Sequence, residues 1–222
     1  MTHVDDFLPE PLPAEPFAIF GDWLLKAERD RTQPNPTAMV LATVGEDGTP
    51  AARVVLCRQV VADPGYLVFF TNYLSPKGRQ LAAHPRAALV FHWDALHRQV
   101  RMSGPVLKSP EGESDDYFAN RPLAARIGAW ASKQSENLTS RAQLAAQVEE
   151  TQRRFNIDPN AADGFVPRPP HWGGYRFWPE SIELWVEGPG RIHDRAAWTR
   201  TVRSVDEFTM HGGPWSSTRL SP

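Results

Sequence analysis

The stretch RVVLCRQVVADPGYLVFFTNYLSPKGRQ, residues 53–80, predicts two strands joined by a tight turn and followed by a helix. Its valine-, leucine- and phenylalanine-rich runs are typical of strands. Asp63-Pro64-Gly65 predicts the turn, because proline fixes φ and glycine tolerates a positive φ. Ser75 then predicts a helix N-cap with Pro76 in the first turn. Two strands followed by a helix N-terminus would bring the polar residues of this stretch together.

The same stretch also indicates an anion site at the start of the helix. Free backbone N–H groups, the helix dipole and cationic side chains together favour a bound anion such as phosphate. The alternative is a hairpin with ordinary solvated basic residues, and spacing alone favours that alternative because such residues are common near turns. The polar residues that would converge are Arg53, Arg58, Thr71, Ser75, Lys77 and Arg79.

The composition is that of a soluble globular protein. The 222 residues are 41% hydrophobic and 23% charged, and the net charge of −2 gives no reason to expect a nucleic-acid or membrane-surface partner. No apolar run approaches the roughly 20 residues of a membrane span, and no signal-peptide pattern is present, so we expect a cytoplasmic protein. The single cysteine, Cys57, predicts a buried inert thiol and no internal disulfide. No paired ligand spacing joins the histidines, so we expect no metal site.

The chain in order predicts a mainly β protein with helical insertions (α+β). Proline and acidic residues predict a mobile segment over residues 1–15, and one domain is expected over residues 16–222. Its first helix follows Pro16, and a helical insert is expected at about 110–155. Strands at this density without βαβ alternation favour a closed or nearly closed barrel. The predicted strands are 37–44, 51–60, 66–71, 86–93, 98–108, 174–178, 182–186, 191–198 and 215–220.

Nine segments follow one another along residues 16–222: PTAMVLATV, RVVLCR, VFFTNYLSPKGRQLAAHPRAALVFHW, RQVRMSG, YFANRP, IGAWASKQS, PPHWGGYRF, ELWVEGPGRIHDR and RLSP. In this order and spacing they resemble the FMN-dependent pyridoxine/pyridoxamine 5′-phosphate oxidase family. The resemblance implies a split β-barrel that binds FMN, a homodimer with the flavin at the subunit interface, and O₂ as a second substrate.

The resemblance implies a set of flavin contacts. Arginine and lysine pair with phosphate, and glutamine can donate to and accept from a flavin ring. Taken alone, Trp185 would be a core residue and Gln134-Ser135 an exposed helix end. The implied FMN residues are Arg53, Val54, Val55, Leu56, Arg58, Phe70, Thr71, Lys77, Gln99, Gln134, Ser135, Trp185 and Arg195.

The resemblance also implies a substrate site, with several departures from the family pattern. Arg58 stands where the family has lysine, and Ala125 stands where it has serine. The family's Arg-x-x-Tyr lid segment is absent before Pro16. Arg191 and His193 match the catalytic residues that flank the substrate, although a lone strand histidine is more often structural. The implied substrate-binding residues are Arg58, Tyr117, Arg121, Arg191 and His193.

Three functions remain open at this point. The first is oxidation of a phosphorylated B6 vitamer to pyridoxal 5′-phosphate, with O₂ reduced to H₂O₂; Tyr117, Arg121, Arg191 and His193 favour it. The second is a related oxidase of secondary metabolism, of the phenazine-biosynthesis type, which acts on a reduced heterocycle; Arg58 and Ala125 favour that reading. The third is a non-enzymatic module that binds flavin or B6 phosphate, which the complete RIHDR segment disfavours.

Overall fold

The computed structural model describes residues 7–31 and 33–222, which form five α-helices and twelve β-strands. The helices are α1 Phe17–Asp30, α2 Pro76–Ala83, α3 Glu111–Ala119, α4 Leu123–Ala131 and α5 Arg141–Arg154. The strands are β1 Ala38–Val44, β2 Pro50–Leu56, β3 Gln59–Val61, β4 Tyr66–Asn72, β5 Arg86–Trp93, β6 Arg98–Lys108, β7 Trp172–Phe177, β8 Ser181–Val186, β9 Asp194–Thr199, β10 Val202–Ser204, β11 Met210–Gly212 and β12 Ser216–Leu220.

The main sheet is antiparallel and branches at β6. Seven strands follow one another in the order β12-β9-β8-β6-β5-β1-β2. Residues Arg98–Ser103 of β6 pair with β8, whereas Val106–Lys108 pair with β7, which continues to β4 and β3. This change of partner curls the sheet into a half-barrel. The predicted mainly β fold with helical insertions is therefore confirmed.

Buried and more exposed residues alternate along the strands, so the core lies on one side of the sheet. In β5, Ala87, Leu89, Phe91 and Trp93 are buried, and the residues between them are half-buried or exposed. Helix α1 covers this side, where the rings of Phe20 and Phe91 lie 5.2 Å apart. A sheet that is apolar on one face and more polar on the other is typical of antiparallel folds.

The predicted strand 51–60 is wrong as a single strand. Strand β2 ends at Leu56, and the chain then changes its pairing partner. The Cys57 N–H donates to Thr37 O, next to β1, whereas the Arg58 N–H donates to Val68 O in β4. The two hydrogen bonds belong to different branches of the half-barrel. Arg58 consequently lies at the junction between the branches.

Two further elements near the C-terminus differ from the predicted strands. The expected strand 191–198 starts only at Asp194, because Gly190 and Arg191 have φ values of 64° and 65° and form a short 3₁₀ turn with Pro189. A left-handed backbone cannot continue a strand. The hairpin of β10 and β11 was not predicted; its strands have three residues each, too few for a periodic pattern.

The described part of the N-terminal segment makes specific contacts. Leu8 is 5% exposed, its N–H donates to Asp194 Oδ2 at 2.7 Å, and Trp198 Nε1 donates to Pro13 O at 2.9 Å. Arg219 of β12 also donates to Leu8 O and Pro9 O. The mobility expected over residues 1–15 stays a prediction, and residues 1–6 lie outside the described residues.

The three helices of the insert lie within the expected range of 110–155. A small second core joins α4 and α5, with Leu123, Ile127 and Val166 buried and Trp130 packed against them. In residues 7–31 and 33–222, no helix combines the length and apolar character needed to cross a membrane.

Candidate functional site

A cationic pocket of about 280 Å³ lies between β2, β4, the N-terminus of α2 and the helical insert. Of the described residues that line it, three have basic side chains and none has a carboxylate. The edge strand β2 pairs only with β1 in the described sheet, so backbone groups on its free edge are available to a ligand. The lining residues are Val54, Val55, Leu56, Arg58, Phe70, Thr71, Asn72, Lys77, Tyr117, Arg121, Gln134 and Trp172.

The start of α2 was correctly predicted. Ser75 Oγ accepts from the Gly78 N–H at 3.4 Å, and its hydroxyl donates to Asn72 O at 2.7 Å. Gly78 is required here, because a Cβ would lie 2.1 Å from the carbonyl oxygen of Tyr73. The cap therefore fixes the helix N-terminus against the end of β4.

The partners of the Lys77 ammonium group in the described part of the chain are all neutral oxygens. Lys77 Nζ lies 2.8 Å from Gln134 Oε1 and 3.3 Å from each of the hydroxyl oxygens of Thr71 and Ser75. Burial lowers the pKa of Lys77 below its usual value, and the nearby charge of Arg53 lowers it further. A cation held without an acidic partner is suited to binding an anion.

Arg53 is fixed beside this pocket, although it is not among the lining residues. Its guanidinium donates to Leu41 O at 3.1 Å, to Gln80 Oε1 at 3.0 Å and to the hydroxyl of Thr43. Burial lowers the pKa of Arg53. Arg79, expected to converge with these residues, instead donates to Leu74 O and does not line the pocket. That part of the predicted anion site is wrong.

Tyr117 and Arg121 enter the pocket from the corner between α3 and α4. The Tyr117 ring stacks on Phe70 with the centroids 3.9 Å apart, and the Arg121 guanidinium lies 4.6 Å from the centroid of Trp172. Arg121 Nη1 is buried and has no hydrogen-bond partner among the described residues. Such an orphaned donor is costly unless a ligand accepts from it. An anion in this pocket would supply that acceptor.

A second group of expected flavin residues forms a row across three strands and does not line the pocket. Gln99, Trp185 and Arg195 are successive cross-strand partners on β6, β8 and β9, so they share one face. Arg195 Nε and Nη2 lie 3.0 and 2.8 Å from Glu183 Oε1. Arg101 donates to the other oxygen of Glu183 at 3.2 Å. Glu183, shared with Arg101, therefore fixes the guanidinium of Arg195 at the end of the row.

The two expected catalytic residues lie on a tight loop next to this row. The His193 and Trp185 rings are 4.6 Å apart, and the Gly188 N–H donates to His193 Nδ1 at 3.2 Å. Neutral His193 therefore carries its proton on Nε2, which is free to donate to a ligand. Arg191, at φ 65°, completes the loop. A Cβ on Gly188 would lie 1.8 Å from Ile192 O, so the loop requires glycine there.

The structure thus separates the expected site residues into two groups. The pocket brings together most of the expected flavin contacts with Tyr117 and Arg121, whereas the row and loop hold Gln99, Trp185, Arg191, His193 and Arg195. Ser135 belongs to neither group and has φ 70°. Sequence reasoning did not identify Asn72 or Trp172 as lining residues, although the segment PPHWGGYRF contained Trp172.

Two solved structures share this fold across nearly the whole chain. PhzG from Burkholderia lata, in complex with tetrahydrophenazine-1-carboxylic acid, has a TM-score of 0.78 and 28% identity, over 95% of this chain and 94% of that one. A pyridoxamine 5′-phosphate oxidase-related, FMN-binding protein from Nostoc punctiforme has a TM-score of 0.66 and 20% identity, over 91% of this chain and 96% of that one. The fold is therefore of the FMN-binding split-barrel class.

Family models and sequence relatives then define the family. A model described as pyridoxamine 5′-phosphate oxidase matches residues 25–155, and one described as the pyridoxine 5′-phosphate oxidase C-terminal dimerisation region matches residues 172–222. Pyridoxine/pyridoxamine 5′-phosphate oxidases of Burkholderia lata and Burkholderia multivorans are each 50% identical over 208 residues, which cover 94% of this chain and 89% of theirs. The chain belongs to the pyridoxine/pyridoxamine 5′-phosphate oxidase family of FMN-dependent oxidoreductases. Membership favours an enzyme over a binding module.

Proposed function

We propose that this protein is an FMN-dependent oxidase that converts a phosphorylated B6 vitamer to pyridoxal 5′-phosphate. The observation that carries the proposal is the pocket with Arg58, Lys77 and Arg121, where the described residues supply neither a lining carboxylate nor an acceptor for the buried Arg121 Nη1. A dianionic phosphate would satisfy that donor and offset the clustered positive charge. The 50% identity to B6 phosphate oxidases agrees with this substrate class.

The residues of the pocket fit the phosphate and ring of FMN. Lys77 offers a cationic donor with the charge of Arg53 beside it, Thr71 offers a hydroxyl, and the free edge of β2 offers backbone groups at Val54–Leu56. When bound, FMN would accept a hydride from the substrate, and O₂ would then take up the two electrons with two protons and become H₂O₂. The protein's own contribution is to bind and orient both molecules.

The residues proposed for the substrate have distinct tasks. Arg58 and Arg121 bind its phosphate, with Tyr117 beside them. His193 donates from Nε2, because Gly188 occupies Nδ1, and Arg191 supplies a positive charge from the same loop. Catalysis then depends on proximity and electrostatic stabilisation more than on a strong base.

We further propose a homodimer in which each site combines the pocket of one subunit with the row and loop of its partner. An outer apolar face, made of Val40, Ala42, Val44, Ala52, Val54, Ala88 and Val90, lies on β1, β2 and β5. Val54, which is 65% exposed, belongs to both this face and the pocket lining. On the next strand, β6, Arg101 pairs with Val90 and Gln99 pairs with His92. The same face of the sheet therefore extends to Gln99, the first residue of the row. A second copy seated there would complete both sites, in agreement with the C-terminal dimerisation region.

Subunit mixing tests that arrangement. Neither Arg121→Ala nor His193→Ala alone should be active. If the residues of one site come from two subunits, a mixture of the two variants forms heterodimers that each contain one intact site. About a quarter of wild-type activity should return after random exchange in a two-fold dimer. No recovery, with exchange confirmed by tagged subunits, would show that each site lies within one chain.

An anaerobic titration tests the reaction itself. Pyridoxamine 5′-phosphate is added to the FMN-loaded protein, and flavin absorbance near 450 nm is followed. Stoichiometric bleaching, with pyridoxal 5′-phosphate as product, is the expected result. A flavin that stays oxidised with both pyridoxamine and pyridoxine 5′-phosphate would reject the B6 substrate.

The second candidate is an oxidase of a reduced heterocyclic acid. It is favoured by the similarity to PhzG with its bound tetrahydrophenazine-1-carboxylic acid and by the replacements at Arg58 and Ala125. A guanidinium can pair with a carboxylate as well as with a phosphate. Bleaching by a reduced phenazine carboxylic acid, but not by pyridoxamine 5′-phosphate, would establish this alternative.

A further inference from the structure

The side chain of Arg121 is held by aromatic faces instead of hydrogen bonds. Its guanidinium carbon lies 4.6 Å from the Trp172 ring centroid and 5.5 Å from that of Phe118. Among the described residues its side chain has no hydrogen-bond acceptor or ion-pair partner, and Nη1 is buried. Burial lowers the pKa of Arg121, and the charge of Arg58 acts in the same direction. The orientation of this cation therefore depends on the rings beneath it.

A second arginine in the insert shows the contrast. Arg126 Nε donates to Arg121 O at 2.9 Å, Nη1 donates to Gly164 O at 2.8 Å, and Nη2 pairs with Asp163. All three nitrogens of Arg126 have acceptors, as expected of a structural arginine. The insert thus satisfies one guanidinium completely and leaves the one that faces the pocket without acceptors.

Trp172 connects this unsatisfied cation to the sheet. Trp172 is 7% exposed and pairs with Asn72 at the end of β4. Its ring is nearly parallel to Phe70, at 5.4 Å and 8°, and to Tyr117, at 6.2 Å and 11°. One indole therefore contacts Arg121 and belongs to the stack that contains Tyr117.

We propose that Trp172 is a positioning residue that holds Arg121, through a cation–π contact, for the anionic group of the substrate. The role rests on the proposed function, in which Arg121 binds the substrate phosphate. A guanidinium restrained on an aromatic face loses less conformational freedom when an anion binds. Trp172 should therefore affect affinity for phosphorylated ligands far more than the rate of the chemical step.

The experiment compares Trp172→Phe and Trp172→Leu with a matched control in the FMN-loaded dimeric protein. Trp130→Phe is the control, because Arg154 lies 4.5 Å from the Trp130 ring and neither residue lines the pocket. The Kd of pyridoxal 5′-phosphate is measured from flavin fluorescence, and kcat and KM are measured with pyridoxamine 5′-phosphate. We expect Kd and KM to rise about threefold for Trp172→Phe and about tenfold for Trp172→Leu. The kcat should change less than about twofold, and Trp130→Phe should leave Kd unchanged.

A double-mutant cycle separates positioning from simple packing. In the Arg121→Ala background, Trp172→Phe should have no further effect on Kd, because the residue it acts through is gone. Additive effects, or an equal fall in affinity and kcat for Trp172→Phe, would overturn the proposal. If Trp172→Leu fails to fold, the Phe variant carries the test. A wild-type protein that binds pyridoxal 5′-phosphate without oxidising B6 phosphates would reject the proposed function, while the Kd series would still decide the role of Trp172.

Discussion

Lys77 Nζ lies 2.8 Å from Gln134 Oε1, which joins the N-terminus of α2 to the loop that follows α4. The two residues are 57 positions apart in the chain. Because the partner is an amide and not a carboxylate, it does not neutralise the Lys77 ammonium group, whose charge can pair with an incoming anion. The relationship indicates that the helical insert and the barrel share one anion site.

Removal of the Lys77 charge should weaken FMN binding. Charge-assisted hydrogen bonds contribute about 1.5–3 kcal/mol, so Lys77→Ala should raise the FMN Kd by about 10- to 100-fold. Lys133→Ala, which removes an exposed lysine from the neighbouring loop, is the control and should have little effect. Fluorescence quenching of FMN measures both. Equal Kd values for the two variants would contradict a role of Lys77 in the anion site.

The Gln134→Glu change should weaken FMN binding without lowering the stability of the FMN-free protein. A carboxylate at this position would pair with Lys77 and compete with the phosphate, so the FMN Kd should rise about tenfold or more. The Tm of the FMN-free protein should stay the same or increase. Asn137→Asp places the same charge change on an exposed residue of the same loop and serves as the control. A Gln134→Glu protein with wild-type FMN affinity would refute the competition.

The pH dependence of FMN binding should follow the protonation of Lys77. Burial, and then the charge of Arg53, lower the pKa of Lys77 below the usual 10.5, so the free protein loses this proton at a lower pH than an exposed lysine does. A bound phosphate prefers the charged form, and affinity should therefore fall as pH rises through the lowered pKa. Lys77→Arg should keep its affinity to higher pH. Parallel pH profiles for the two proteins would exclude Lys77 as the titrating group.

Gly188 should be essential to the loop that presents Arg191 and His193. Gly188→Ala would place a Cβ 1.8 Å from Ile192 O, which the backbone can relieve only by moving. We expect kcat/KM to fall at least about tenfold, with the pocket residues still able to bind pyridoxal 5′-phosphate weakly. Gly21→Ala in α1, where a Cβ has open space, should retain activity and stability. Full activity of Gly188→Ala would show that the loop geometry is not required.

Cys57 should be unreactive in the folded protein. The thiol is 2% exposed, and burial raises its pKa to about 12, so almost no thiolate exists at pH 8. Ellman's reagent should label less than about a tenth of the protein under native conditions and all of it in denaturant. Rapid labelling of the native protein would mean that the segment between β2 and β3, which contains Cys57, opens readily in solution.

Much of the fold could be predicted because its signals are local. A run of apolar residues predicts β5, and Ser75 followed by Pro76 predicts the start of α2. Both patterns depend on residues a few positions apart. The end of β2 at Cys57–Arg58 could not be predicted, since it depends on the distant carbonyls of Thr37 and Val68, which accept from the successive N–H groups of Cys57 and Arg58. The hairpin of β10 and β11 was missed because three-residue strands have no measurable period.

By itself, the sequence determined the mainly β class, the cap of α2 and the basic composition of the anion site, because capping and periodicity require only neighbouring residues. Only the tertiary structure decided which cations face the pocket. Arg53 is held by Gln80, Lys77 faces Gln134, and Arg121 Nη1 lies above Trp172 without an acceptor among the described residues. The physical reason is that strand register and helix docking bring together Arg53 with Gln80 and Lys77 with Gln134, 27 and 57 positions apart, and no local pattern specifies those contacts.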